Sequence, residues 1–179
     1  ATSIDLALYN IPPFVGTKVD AATVIKIAEL DKRVVAYKGS SGAFTDFQQV
    51  LSRYRDTDFC VLQGITPHAI TSLLLGADGF VPALSVCFPE LFASAYEAAV
   101  GKNFERAMAY NDLIRESSKI LGMTKNATAA TKYAVSLRGF TSDRVIIPQD
   151  PILDSEKDAI RMKVAEVDTK YQALRTRTA

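Results

Sequence analysis

Metal-binding side chains are scarce in this chain. It has one histidine, His68, and two cysteines, Cys60 and Cys87. A single imidazole does not build a metal site alone, and no cluster of Cys, His or carboxylates stands near it in the sequence. Both cysteines lie in apolar segments, which reads as buried free thiols and points to the reducing cytoplasm. Net charge is also nearly absent, since 21 basic residues against 20 acidic ones leave +1. That balance gives no electrostatic case for nucleic acid or for an anionic membrane. Long apolar runs are missing too. The longest, around Thr71 to Val86, is broken by Gly76, Asp78, Gly79 and Pro82, so it reads as no membrane span. No signal-peptide pattern opens the chain, and its first residue is not Met. What is present is a 179-residue chain with 48% hydrophobic and 23% charged residues, enough for one domain with a sizeable core.

Up to Gly101 the pattern alternates between strand and helix. Ile4 to Tyr9 reads as a strand, and Asp20 as the N-cap of a helix over Ala21 to Leu30. Val34 to Lys38 is a second strand. Phe44, Phe47, Val50, Leu51 and Tyr54 fall on one face of a helix over Phe44 to Tyr54. Phe59 to Leu62 is a third strand, followed by a short helix over Pro67 to Leu75 with its proline in the first turn. Phe80 to Val86 reads as a fourth strand, and Pro89 to Val100 as a helix that Gly101 ends. Such alternation with short connections implies a parallel sheet with helices outside it. After Gly101 only helices are expected: Phe104 to Leu121 behind an Asn103 cap, about Asn126 to Leu137, and Ser155 to Leu174 after an extended link holding Pro148 and Pro151. The expected division is a strand–helix domain over 1–101 and a helical extension over 102–179.

Lys38 ends an apolar strand, Val34-Val35-Ala36-Tyr37-Lys38, and runs into Gly39-Ser40-Ser41-Gly42. An apolar strand that delivers one amine into a small-residue turn is a way to desolvate a lysine while keeping it reachable. Desolvation disfavours the charged form, and a free amine attacks ketones. Tyr9 closes the first strand and Gly64 follows the third. Period-two alternation puts Ala7 and Tyr9 on one face and Ala36 and Lys38 on one face. Tyr9 and Lys38 can therefore share a face at the carboxyl ends of neighbouring strands, where parallel α/β proteins put their active sites.

These residues resemble a known family. Tyr9-Asn10-Ile11-Pro12-Pro13, then Gly16, then Tyr37-Lys38-Gly39-Ser40-Ser41-Gly42 is similar to the pyruvate-dependent class I aldolases. That family includes dihydrodipicolinate synthase, N-acetylneuraminate lyase and the 2-keto-3-deoxy sugar acid aldolases. Gly76-Ala77-Asp78-Gly79-Phe80-Val81 is similar to the family's glycine-containing eighth strand. The resemblance covers nearly the whole chain, and implies an α/β fold: half of a (β/α)8 TIM barrel, strands five to eight, followed by a C-terminal helical extension. It also implies that the first four strands, and the early hydroxyl and Gly-rich motif that binds pyruvate's carboxylate, are missing. With Ala1-Thr2-Ser3 running straight into a strand, the chain reads as a fragment, or as one piece of a split protein. Half a barrel leaves two sheet edges and an inner face open. The expected partner for them is a missing N-terminal half-barrel or a second copy of the chain, in a homo-oligomer such as a dimer or tetramer.

The resemblance assigns Lys38 as the Schiff-base lysine and Tyr9 as the proton shuttle, with no cofactor or metal. Its small-molecule partners are a 2-oxo acid and an aldehyde. Gly64 and Val81 match positions that line the pyruvate pocket, and Ser40 and Ser41 stand in the lysine turn as further substrate-binding candidates. Departures from the family pattern narrow the substrate. Dihydrodipicolinate synthases carry an Arg where this chain has Phe14, and an uncharged aromatic makes no bidentate carboxylate contact. Thr66, Pro67 and Ala83 stand where the acyl lyases carry acidic and hydroxyl residues. Gly39 replaces the acidic residue that commonly follows the lysine. A 2-keto-3-deoxy sugar acid, or an aromatic or aliphatic aldehyde acceptor over Phe14, remains open as the substrate type, cleaved, condensed or dehydrated through the same imine.

Plainer readings stand beside these. A lysine at a strand end is commonly solvated, and a tyrosine is commonly a packed core aromatic. Ser40 and Ser41 suit the cap of the helix that starts near Phe44, and Gly42 suits a turn. His68 is expected near a helix start, without chemistry. The whole half-barrel can also be a catalytically silent folding or assembly module.

Overall fold

The computed structural model describes residues 3–140 and 142–176. The run of Ala1 and Thr2 into the first strand lies outside them. The described chain forms two compact units, one running to Pro82 and one from Ala83. This cut differs from the expected division after Gly101, which follows where the strands stop.

The first unit is built on four parallel strands in the order β1-β2-β3-β4. They are β1 (Leu6–Asn10), β2 (Val34–Gly39), β3 (Cys60–Gln63) and β4 (Gly79–Phe80). Between them lie α1 (Pro12–Val15), α2 (Ala21–Leu30), α3 (Phe44–Tyr54) and α4 (Ala69–Leu74). Helix α2 starts where Asp20 accepts a hydrogen bond from the Thr23 amide at 2.8 Å, which satisfies one of the orphan donors of its first turn. α2 and α3 cover one face of the sheet. Val24, Phe47, Val50 and Leu51 of these helices pack with Tyr37 and Val61 of the strands, and Leu8 joins them. Tyr54 and Phe59 stack at 4.0 Å between centroids and close the end of this core.

Several expectations change in detail. The fourth strand was expected over Phe80 to Val86, but it ends at Phe80 and Ala83–Val86 is a 3-10 turn. Pro82 has no N–H for a ladder, so strand pairing stops with the Val81 amide, which donates to Gln63 O at 2.8 Å. The helix expected from Pro67 opens as a 3-10 turn over Thr66–His68 before α4. Gly101 ends the preceding helix without a left-handed conformation (φ −73°). Lys102 takes that conformation instead (φ 59°). Glycine suits position 101 because a Cβ there would lie 2.9 Å from Glu97 O.

The second unit is helical: α5 (Pro89–Val100), α6 (Phe104–Ser117), α7 (Ala127–Ser136) and α8 (Asp154–Thr176). The Asn103 side chain caps α6, and the Asn126 side chain caps α7. α6 stops short of the expected Leu121 and tightens into a 3-10 turn over Ser118–Gly122. Ser117 and Ser118 each donate to the carbonyl three residues back, which competes with continued helix. Ile114, Ile120, Ile160 and Val167 are fully buried and form much of this unit's core.

Candidate active site

The strand register aligns the candidate site. Tyr9 is opposite Lys38, Lys38 is opposite Leu62, and Leu62 is opposite Gly79. Residues paired across a parallel sheet point to the same face, so this row lies on one face at the carboxyl ends of the strands. It is the face opposite the one that carries Leu8, Tyr37 and Val61 into the α2–α3 core. The Lys38 ammonium lies over the Tyr9 ring, 4.2 Å from its centroid. Such a contact is worth about 0.5–1 kcal/mol where solvent reaches it. Lys38 is half-buried and Tyr9 is 49% exposed, so the amine stands on an open face and not in a closed pocket.

Gly64, just past the end of β3, lies beside Lys38. A Cβ at 64 would lie 1.8 Å from Ser40 Oγ, 3.1 Å from Lys38 Cε and 3.1 Å from Gly39 O. The Gly64 amide donates to Gly39 O at 2.8 Å. Glycine here lets the β3 exit pass directly beside the lysine side chain. Ser40 is buried, and its Oγ has no hydrogen-bond partner. Ser40 therefore does not cap α3. Ser41 makes the local bond instead, accepting from the Ala43 amide at 3.3 Å, and Gly42 takes the left-handed turn position (φ 75°). Val81 is 47% exposed just past β4. Phe14 is 73% exposed on α1, a helix that buries none of its residues.

Gly39 sits with its α-carbon toward the opposite face. A Cβ there would lie 2.8 Å from Phe47 Cδ2 and 3.1 Å from the Tyr37 ring and hydroxyl. A side chain at 39 would enter the α2–α3 core. A small hollow lies nearby, lined by Ser41, Phe44, Gln63, Ile65 and His68. It holds about 10 Å³, on the order of one water, and so is too small for a 2-oxo acid. His68 packs on Phe44 with ring centroids 4.8 Å apart, and burial pushes its pKa below the ordinary imidazole value. Two buried polar residues went without a role at the sequence level. Asn10 and Gln63 end their strands almost without exposure. Gln63 donates to Ser72 Oγ at 2.9 Å and accepts from the Ile65 amide at 2.8 Å, which fixes the turn after β3. A polar amide closing an otherwise apolar strand was the available signal.

Among the described residues no group of three or more His, Cys, Asp or Glu is placed to hold a metal ion. No helix among them is long and apolar enough to cross a membrane.

Residues 1–167 match the model of the dihydrodipicolinate synthetase family. The chain belongs to that family. It is 29% identical over 176 residues to an uncharacterized DapA-like lyase of Thermococcus onnurineus, covering 93% of this chain and 57% of that protein. It is 26% identical over 172 residues to the 4-hydroxy-tetrahydrodipicolinate synthase of Haloarcula marismortui, covering 95% of this chain and 56% of that protein. Among solved structures, the dihydrodipicolinate synthase of Bacteroides thetaiotaomicron superposes with a TM-score of 0.83 at 30% identity, covering 92% of this chain and 56% of that one. The chain thus spans little more than half the length of these family members.

Proposed function

We propose that this chain supplies the Schiff-base lysine and the proton-shuttling tyrosine of a class I aldolase or lyase that acts on pyruvate or another 2-oxo acid. The observation that carries the reading is the Lys38 amine over the Tyr9 ring, at the carboxyl ends of paired parallel strands. Lys38 attacks the ketone carbon, the carbinolamine loses water, and a protonated imine forms. The imine draws electrons from the adjacent carbon, so a proton leaves the methyl group or a carbon–carbon bond breaks, and an enamine results. The enamine then adds to an aldehyde or takes up a proton. Splitting the reaction in this way replaces one hard step with easier ones. Tyr9 gives and takes the protons, since a phenol can do both. Gly64 keeps the approach to the imine carbon clear, and Ser40, Ser41, Val81 and Phe14 form the surroundings of the substrate. Phe14 in place of an arginine argues against a second carboxylate and favours a substrate of the 2-keto-3-deoxy sugar acid type.

In the same reading the four strands are strands five to eight of a (β/α)8 barrel, and the helices from 102 onward are its extension. The open face is covered by a complementary half-barrel or a second copy, within a homo-oligomer in the cytoplasm. Two features support this. β1 and β4 are the outer strands of the sheet, and the chain spans little more than half the length of the family members compared. Covering the face would also exclude water and complete the desolvation that the lysine chemistry needs. Incubation with pyruvate and borohydride, read by intact mass and peptide mapping, tests the reading. The expected result is one adduct, on Lys38, that is lost in Lys38→Ala while the far-ultraviolet circular dichroism is unchanged. A folded wild-type protein that takes up no pyruvate, alone or with its complementary half, would instead favour the silent assembly module.

A further inference from the structure

We propose that Asn10 is a positioning residue for the Tyr9–Lys38 site. It would act by clamping the loop of residues 11–19 to the end of β1. This rests on the reading of Tyr9 as the proton shuttle. Asn10 is 2% exposed and bonds to two separate pieces of chain. Its Nδ2 donates to Val19 O at 2.7 Å, and its Oδ1 accepts from the Val19 amide at 3.2 Å. One side-chain amide thus takes both backbone groups of one residue, as a paired strand would, and fixes that residue in position and in rotation. The same Nδ2 lies 3.4 Å from the Tyr37 hydroxyl. On the main chain, Asn10 O accepts from the Ser40 amide at 2.8 Å. Asn10 therefore joins the end of β1 to the turn two residues after Lys38 and to the far end of the loop that carries Phe14.

Alternation along β1 sends the Asn10 side chain to the face opposite Tyr9, so it does not reach a substrate on Lys38. Its effect passes through backbone. A second tether of the loop, the ion pair from Lys18 to Asp46 at 2.7 Å, has a half-exposed lysine and is weak by comparison. The buried amide is the bond that holds.

The test compares wild type, Asn10→Ala and Asn10→Asp. Aspartate keeps the acceptor for the Val19 amide but places a carboxylate oxygen against Val19 O. Three quantities are read: amide hydrogen exchange at Val19, borohydride trapping of pyruvate on Lys38, and exchange of pyruvate methyl protons in D2O. In both variants Val19 should exchange roughly 2- to 10-fold faster. Trapping, which reads imine formation at full extent, should stay within about twofold, while methyl exchange per trapped imine should fall about 10- to 100-fold, as misplaced catalytic groups do. Unchanged exchange at Val19 would overturn the clamp. Equal losses of trapping and methyl exchange, tracking loss of fold on melting, would reduce Asn10 to a structural residue. Wild-type protein that traps pyruvate but exchanges no methyl protons would overturn the role of Tyr9 and its positioning together. Wild-type protein that traps nothing would overturn the proposed function, and Val19 exchange would still decide the clamp.

Discussion

Adding one methyl group at Gly64 probes the site from the side on which the structure is tightest. The φ of Gly64 lies outside the left-handed region, so alanine is allowed by the backbone. By itself the change should stabilise by about 0.4–1 kcal/mol, because the unfolded chain loses freedom. Against this stands the new Cβ at 1.8 Å from Ser40 Oγ, an overlap of the kind that costs about 1–3 kcal/mol. The net expectation for Gly64→Ala is a loss of about 1–2 kcal/mol. Ser40→Ala alone should be close to neutral, because its buried hydroxyl has no partner to lose. In the Ser40→Ala background the worst overlap disappears, and the contacts at 3.1 Å with Gly39 O and Lys38 Cε remain. Gly64→Ala should then cost less than about 0.5 kcal/mol, which gives a coupling of about 1 kcal/mol or more in a double-mutant cycle. Urea unfolding of the four proteins reads these terms. Pyruvate trapping gives a separate signature. It should be slow in Gly64→Ala and stay slow in the double variant, because the methyl still presses on Lys38. Additivity within about 0.3 kcal/mol would refute the claim that the approach of Ser40 reserves position 64 for glycine.

Tyr9→Phe keeps the ring under the Lys38 amine and removes only the hydroxyl. Turnover should fall by about two to four orders of magnitude with trapping on Lys38 retained, and an unchanged rate would remove Tyr9 from the mechanism. His68 is the chain's single histidine, and burial lowers its folded pKa. The unfolded chain therefore binds the proton more readily, so stability is complete above the unfolded value near 6.5 and declines as pH falls from there through the folded value. His68→Gln should flatten the part of a pH–melting curve just below 6.5, and a curve that keeps its slope would show that another group is responsible. Ile160 on α8 is fully buried, so Ile160→Ala should cost the helical unit about 2–5 kcal/mol. A change near zero in its unfolding midpoint would mean that α8 does not share that core.

Three helices were legible to the residue: Ala21–Leu30, Phe44–Tyr54 and Pro89–Val100. Each has a strong local signal, respectively the Asp20 cap, the apolar spacing from Phe44 to Tyr54, and Pro89 at the first helical position. The parallel sheet was legible from the alternation of elements, and the meeting of Tyr9 with Lys38 from period-two faces. The end of the fourth strand was not, because the run from Phe80 to Val86 is apolar in either conformation and only the missing N–H of Pro82 decides it. Nor was the half-burial of Lys38. Apolar neighbours in a strand do not tell which face is covered, and the face that carries Lys38 lies opposite the α2–α3 core. The Asn10 clamp was invisible because its partner, Val19, stands nine residues away in an irregular loop.

Gly39 shows how packing can reverse a reading from type alone. An acidic residue commonly follows the lysine in the resembled family, and this chain has glycine there, which by residue type alone is a departure from the family's site. Yet residue 39 follows Lys38 in a strand, so the two side chains belong to opposite faces, and a Cβ at 39 would meet Phe47 and Tyr37 at 2.8–3.1 Å. A carboxylate there would stand among rings on the far side of the sheet from the amine, without reach to a substrate on Lys38. The glycine therefore answers to how closely Phe47 packs on β2. Its presence subtracts nothing from the face on which Tyr9, Lys38 and Gly64 meet, and that face alone bears on whether an imine can form.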